Sequence, residues 1–228
     1  MNILHNKRLA YLRRRRIFAR FAHNYEQEIK EIANNTVKGR ELIEVYNASA
    51  VVLYDVSRLP HRRGLPHALQ LIFHAIPCSR QDYDGNWLSE GGLSIVYGIG
   101  PTGHVSVTLY PFHTEVHRPL EESIVLDIID CNEAKLRKIV PRNIKDLISY
   151  GYVTALDTEP TLMQRFRIWW LRLSKATHKE QEYTPAQTAG LIDKLKMAGL
   201  SGVASGALRF ATPFLLGLLT AWLGRKFS

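Results

Sequence analysis

Three side chains with metal-binding chemistry alternate along one short stretch of the chain, at His113, Glu115 and His117. In an extended backbone alternate residues share a face, so two imidazoles and one carboxylate would point the same way. Such a set could hold a divalent cation and serve a metal-dependent enzyme. Pro111 and Pro119 bracket the stretch and disfavour a regular strand, so a solvated loop is the alternative interpretation.

Other catalytic signatures are missing from the sequence, which has no Walker loop, nucleophile elbow or HExxH pair. The glycine-rich run 98–103 lies between two strand-like segments, so a hairpin turn accounts for it. Cys78 and Cys131 are the only cysteines, and their spacing fits neither a metal site nor a disulfide framework. We therefore expect a non-enzymatic protein without a cofactor.

Basic residues are concentrated in two segments of a chain whose net charge is +9. Residues 1–25 hold seven Lys or Arg residues and residues 161–179 hold five, and neither segment contains an acidic residue. This predicts a polyanionic partner, either an anionic phospholipid membrane or nucleic acid. We favour lipid, since no DNA- or RNA-binding motif is present; a solvated basic face is the third interpretation. The amino-terminal segment contains four consecutive arginines, Arg13, Arg14, Arg15 and Arg16.

The second basic segment interleaves arginines with large apolar side chains over 162–175. Indole rings prefer the headgroup layer of a bilayer and cations meet its phosphates, so the pattern predicts an interfacial helix. In the alternative, the Trp side chains cover the sheet and the Arg side chains point to water. The predicted anionic-surface residues of this segment are Arg165, Arg167, Trp169, Trp170 and Arg172.

An apolar segment of 28 residues, 197–224, contains a single charged residue, Arg209. As a helix it would measure about 42 Å, more than the ~30 Å hydrocarbon core of a bilayer. We therefore expect a carboxy-terminal transmembrane helix with Pro213 within it and Trp222 near its end. A simple anchor, a pore-forming or membrane-disrupting element, and a soluble partner-binding helix are the three alternatives.

Small residues in the first half of this segment suggest self-association. Gly202 and Gly206 are spaced by four, which lets helices approach closely in lipid, and Arg209 would then face a shared wet interior. A small α+β module joined to a Gly-rich, Arg-interrupted tail resembles, in architecture only, the membrane-acting effectors of bacterial antiviral systems. The resemblance implies a globular part that receives a partner or ligand and a tail that acts on the membrane.

Hydrophobic periodicity predicts the elements that position these residues. Residues 3–46 read as a basic amino-terminal helix interrupted near Asn34, Asn35 and Gly39, and helices are predicted at 133–150 and from a capping box at Thr161. Alternating apolar residues predict an antiparallel sheet of about five strands with packed helices. The predicted strands are 49–55, 68–75, 93–99, 104–110 and 123–130.

The sequence as a whole predicts an α+β protein in three parts. Residues 1–46 form a basic helical arm, 47–183 an α+β globular domain, and 184–228 a helix that runs into the membrane segment 197–224. We expect a membrane-associated, non-enzymatic effector or adaptor with its globular part in the cytoplasm. Its expected partners are anionic phospholipids and a protein or a second copy bound through the tail, whereas nucleic acid is the less favoured alternative.

Overall fold

Four helices and nine strands are present in the described part of the computed structural model. The described residues are 3–54, 64–81, 85, 87–114, 121–179 and 182–184. The helices are α1 (Ile3–Asn34), α2 (Val37–Tyr46), α3 (Glu133–Thr154) and α4 (Leu162–Ser174). The strands are β1 (Ala48–Tyr54), β2 (Pro66–Phe73), β3 (Ile76–Gln81), β4 (Trp87–Glu90), β5 (Ser94–Ile99), β6 (His104–Tyr110), β7 (Ser123–Asp130), β8 (Ala176–Lys179) and β9 (Glu182–Thr184).

Seven strands form one antiparallel sheet in the order β1-β2-β5-β6-β7-β8-β9, and β3 pairs separately with β4. In its register Leu69 lies opposite Tyr97, and Tyr97 lies opposite Val107. All three side chains are fully buried, so they form a cross-strand row on the helix-covered face. The alternation of buried and partly exposed residues along β6 follows the period-two pattern of its sequence.

The helices pack on one face of the sheet. Phe18 and Phe21 of α1 are fully buried, and the ring centroid of Phe21 lies 5.8 Å from that of Tyr97 in β5. The next helix in this layer, α3, contacts both α1 and α4. Residues Met1–Pro185 belong to one compact unit. From Phe18 onward, the amino-terminal helix therefore packs into the same core as the sheet.

Local capping explains where the helices begin and end. After α1 ends at Asn34, the Thr36 hydroxyl accepts a hydrogen bond from the Gly39 amide and starts α2. Gly39 is needed inside α2 because a Cβ there would collide with the Ala33 carbonyl. The capping box predicted at Thr161 is confirmed, since Thr161 and Gln164 bond to each other's backbone amides.

The α+β class and the antiparallel sheet are confirmed, and the sheet is larger than predicted. The five predicted strands correspond to β1, β2, β5, β6 and β7, and β8 and β9 extend the sheet to seven strands. Among the described residues, no helix combines the length and the apolarity needed to cross a bilayer. The predicted transmembrane segment 197–224 lies outside the described residues, as does the helix predicted beyond Thr184.

Candidate membrane-docking surface

Large apolar side chains on α4 are exposed to solvent. Exposure is 82% for Leu162, 74% for Met163, 44% for Phe166, 47% for Trp169 and 51% for Trp170. We call these five residues the α4 apolar face. Apolar residues scattered singly over a surface are ordinary, whereas contiguous exposed apolar patches are typical of interaction surfaces.

The α4 apolar face results from the angular positions of its residues. Successive residues of a helix are about 100° apart, so Leu162, Phe166 and Trp169 fall within roughly 60° of one another. Ile168 and Leu171 lie on the opposite side of the helix and are buried against the sheet. Trp169 and Trp170 are 47% and 51% exposed, so the sheet does not bury them in the way that the alternative interpretation expected.

Two of the three predicted arginines of α4 form ion pairs with buried carboxylates. The Arg167 Nε atom lies 2.5 Å from Asp146 Oδ1, and the Arg172 Nε atom lies 2.9 Å from Glu121 Oε1. These pairs fix the rotation of α4 on α3 and on the segment that precedes β7. Arg165 is exposed, whereas Arg167 and Arg172 are partly buried. The α4 helix therefore presents less net positive charge than its sequence suggests.

A second set of cations, which was not predicted from the sequence, lies next to α4 on α3. Lys138, Arg142 and Lys145 are spaced i, i+4 and i+7, and all three are exposed. This spacing places them on one side of the helix, and we call them the α3 cationic row. The signal was present in the sequence as three basic residues at helical spacing, but only the packing of α3 shows that they face outward.

The consecutive arginines of α1 divide into two groups. The Arg14 Nη1 atom donates to the Thr102 carbonyl oxygen at 2.9 Å, and the Arg15 Nη2 atom donates to the Leu65 carbonyl oxygen at 3.0 Å. These two side chains therefore tie α1 to the ends of strands. Arg13 and Arg16 are exposed, as is Arg20 one turn further on. They add positive charge to the outer side of the helical layer.

The last described strand ends close to the end of α4. In the hairpin register Thr184 lies opposite Thr177, which is three residues beyond Ser174 at the end of α4. Neighbouring strands are about 4.8 Å apart. The chain therefore leaves the described part of the structure beside α4.

The predicted metal ligands are only partly within the described residues. His113 is exposed, and its backbone exchanges hydrogen bonds with Gly91 at 3.0 and 3.1 Å. Glu115 and His117 lie outside the described residues, and within those that are described no group of three ligating side chains is found. The metal site stays a prediction. The tail residues Gly202, Gly206, Arg209, Pro213 and Trp222 also lie outside the described residues.

A cavity of about 670 Å³ opens on the sheet face opposite the helices. Gln70, Ser94 and Tyr110 line it from three adjacent strands, and His113 and Glu122 also contribute to its lining. The lining mixes hydrogen-bonding groups with apolar side chains, which is typical of sites that receive a small ligand or a partner's side chain.

Comparison of the chain with protein-family models, with curated proteins and with solved structures gave no match.

Proposed function

We propose that this protein is a membrane-associated, non-enzymatic effector or adaptor whose helical layer lies against an anionic bilayer. The exposure of the α4 apolar face is the observation that carries this proposal. Trp, Phe, Leu and Met side chains suit the boundary between headgroups and acyl chains, where indole rings accumulate. The α3 cationic row and the exposed arginines of α1 lie in the same helical layer and complement anionic headgroups.

The expected binding free energies indicate that α4, acting without the tail, would contact the bilayer only reversibly. Complete burial of a large apolar side chain contributes about 1.5–3 kcal/mol, so each half-exposed side chain contributes roughly 1 kcal/mol. A basic residue near an anionic leaflet adds about 1 kcal/mol. Stable attachment of a protein to a membrane normally needs two signals. The second signal in this proposal is the apolar segment 197–224.

The apolar segment can reach the same bilayer as α4. Twelve residues, 185–196, separate Thr184 from it, and a chain of that length spans at most about 40 Å. Thr184 lies beside the end of α4, so a bilayer that contacts the α4 apolar face is within this reach. We propose that the segment anchors the protein or, by association through Gly202 and Gly206 with Arg209 inside, permeabilises the membrane.

In this proposal the globular part remains on the cytoplasmic side and receives the activating partner or ligand. The cavity supports this role, because it is on the side of the sheet away from the helical layer. A protein lying on a bilayer through its helices would keep that cavity open to the cytoplasm.

The docking of α4 is tested with an environment-sensitive fluorophore at position 163 in the full-length protein. The Met163→Cys variant, with Cys78 replaced by Ser, is labelled and mixed with vesicles of phosphatidylcholine and phosphatidylglycerol. We expect increased, blue-shifted emission as the label leaves water. The control is the Ile128→Cys variant, because Ile128 is 65% exposed and lies on the sheet. Equal responses at the two positions, or no response at position 163, would reject α4 as the docking surface.

The role of the tail is tested by Arg209→Leu in the same vesicles loaded with a self-quenching dye. Under the permeabilising form of the proposal, membrane association persists and dye release is lost, because the charged group inside the assembly has been removed. Unchanged release by the variant would contradict that form, whereas absence of release from both proteins would identify a simple anchor.

A further inference from the structure

A cleft of about 230 Å³ lies between α3, α4 and β7 at the edge of the α4 apolar face. Its lining includes three cations from three places in the chain: Arg142 of α3, Arg167 of α4 and Lys175, the residue after α4. Trp170 also lines the cleft, although half of its surface is exposed. A single aromatic side chain is thus shared by the cleft and the apolar face.

Two carboxylates hold these cations in place without using all their donors. Arg142 Nη2 lies 2.5 Å from Asp127 Oδ2, and Lys175 Nζ lies 3.3 Å from Asp127 Oδ1. Arg167 meets Asp146 through Nε. A guanidinium carries five N–H donors, so each arginine keeps further donors for a ligand. With three cations and two carboxylates, the cleft has a net positive charge.

We propose that this cleft binds the phosphate group of an anionic glycerophospholipid while α4 lies on the bilayer. Phosphate matches the donor set, because Arg binds phosphate oxygens in paired, charge-assisted hydrogen bonds and Lys adds a point charge. A water molecule takes up about 30 Å³ in the liquid, so the cleft has room for a phosphate with part of its hydration shell.

The lipid source follows from Trp170 and from the apolar side chains beside it. A phosphate attached to acyl chains places its apolar part next to the cleft, where the α4 apolar face continues. A free phosphate would leave these side chains in water. This inference rests on the proposed membrane docking and adds to it a specific contact for the headgroup.

The test compares two charge-matched double variants of the full-length protein carrying the position-163 label. Arg142→Gln with Lys175→Gln removes two cations of the cleft, and Gln keeps N–H donors for Asp127. The control, Lys138→Gln with Lys145→Gln, removes two exposed cations of the α3 cationic row that do not line the cleft. The measured quantity is the lipid concentration, in vesicles of fixed phosphatidylglycerol content, that gives half of the maximal fluorescence response.

Loss of a surface cation that makes no specific lipid contact weakens docking about fivefold per charge. The control variant measures this non-specific effect. Loss of direct charge-assisted hydrogen bonds adds about a further tenfold for the cleft variant. Equal shifts for the two variants would overturn the headgroup site and leave the docking of α4 intact. An absence of any response from the unmodified labelled protein would overturn both proposals.

If the cleft double variant unfolds, a variant that makes the cleft more positive tests the same proposal. Asp146→Asn removes one negative charge from the cleft and retains an acceptor for Arg167. We expect it to lower the half-maximal lipid concentration about fivefold. An unchanged or higher concentration would overturn the headgroup site.

Discussion

Tyr150 of α3 and Arg172 of α4 donate to the same oxygen atom of one buried carboxylate. The Tyr150 hydroxyl lies 2.7 Å and the Arg172 Nε atom 2.9 Å from Glu121 Oε1. Tyr150 is fully buried and Glu121 is 5% exposed, so this oxygen is satisfied by the two side chains and not by solvent. Burial and the adjacent Glu121 carboxylate raise the pKa of Tyr150, which therefore remains a donor at physiological pH.

Replacement of Tyr150 by Phe tests this shared carboxylate. The variant leaves Glu121 with a single side-chain donor, and loss of a hydrogen bond to a buried charged group costs about 1.5–3 kcal/mol. We expect the free energy of unfolding to fall by that amount in urea titrations, with an unchanged m-value. Tyr110→Phe is the control, because Tyr110 is exposed and its change should stay within about 0.5 kcal/mol. Equal effects of the two variants would mean that the buried hydrogen bond contributes nothing.

Asp146 should make the stability depend on pH in an unusual direction. Burial raises its pKa above the reference of 3.8, and the hydrogen bond and charge of Arg167 reduce the increase only in part. The folded state then binds a proton more readily than the unfolded state, so stability falls as the pH rises from about 3.8 through the raised pKa.

The Asp146→Asn variant lacks this titration. Its free energy of unfolding, relative to that of the unmodified protein, should therefore increase across the same pH interval and stay constant above it. Chemical unfolding at a series of pH values measures the difference. A difference that decreases with rising pH would show that the Arg167 ion pair outweighs the cost of burial.

The orientation of α4 can be checked by two alanine substitutions on its opposite sides. Ile168→Ala removes a fully buried side chain and should cost about 2–5 kcal/mol. Leu162→Ala removes a side chain that is 82% exposed and should change stability by no more than about 0.5 kcal/mol. Thermal unfolding of both variants measures this contrast. The reverse order of effects would require α4 to be rotated about its axis.

The thiol of Cys131 should react slowly at neutral pH. It is buried and donates to the Arg14 carbonyl oxygen at 3.2 Å, and burial raises its pKa to about 11. The thiolate is the reactive form, so alkylation by iodoacetamide should keep rising with pH throughout the range in which the protein is folded. Mass spectrometry of the Cys78→Ser variant follows this reaction. In denaturant the alkylation rate should level off above a pH of about 8.5, the pKa of a free thiol. The same pH profile in the native protein would show that the Cys131 thiol is not buried.

The central strands were predictable because their apolar and polar side chains alternate along the sequence. Ile95 and Tyr97, with Val105 and Val107, carry this signal on the two sides of one tight turn, and all four are fully buried. Strands β8 and β9 were not predicted, since they are short and polar and have no apolar alternation. β8 exists through backbone pairing with the edge of β7 and β9 through pairing with β8, which no local pattern encodes.

The sequence predicts the helix α4 of the candidate site, but it does not predict which side of that helix is exposed. Thr161 and Gln164 predicted the start of α4, because the capping hydrogen bonds join side chains and amides only three residues apart in the sequence. Which side of α4 faces water depends on Asp146 and Glu121, which lie far from it along the chain and pair with its arginines. Apolar residues occupy both sides of the helix, so the hydrophobic pattern alone left its rotation undetermined.

The three-pair hairpin of β8 and β9 determines how the fold would respond to mechanical load. Tension applied beyond Thr184 pulls the pairs Thr177–Thr184, His178–Tyr183 and Lys179–Glu182 apart one after another, as in a zipper. Each rupture involves only the few hydrogen bonds of one pair, whereas α4 and the central strands resist through a shared core. The hairpin would therefore yield first and lengthen the segment under load, which would spare the rest of the domain from forced unfolding.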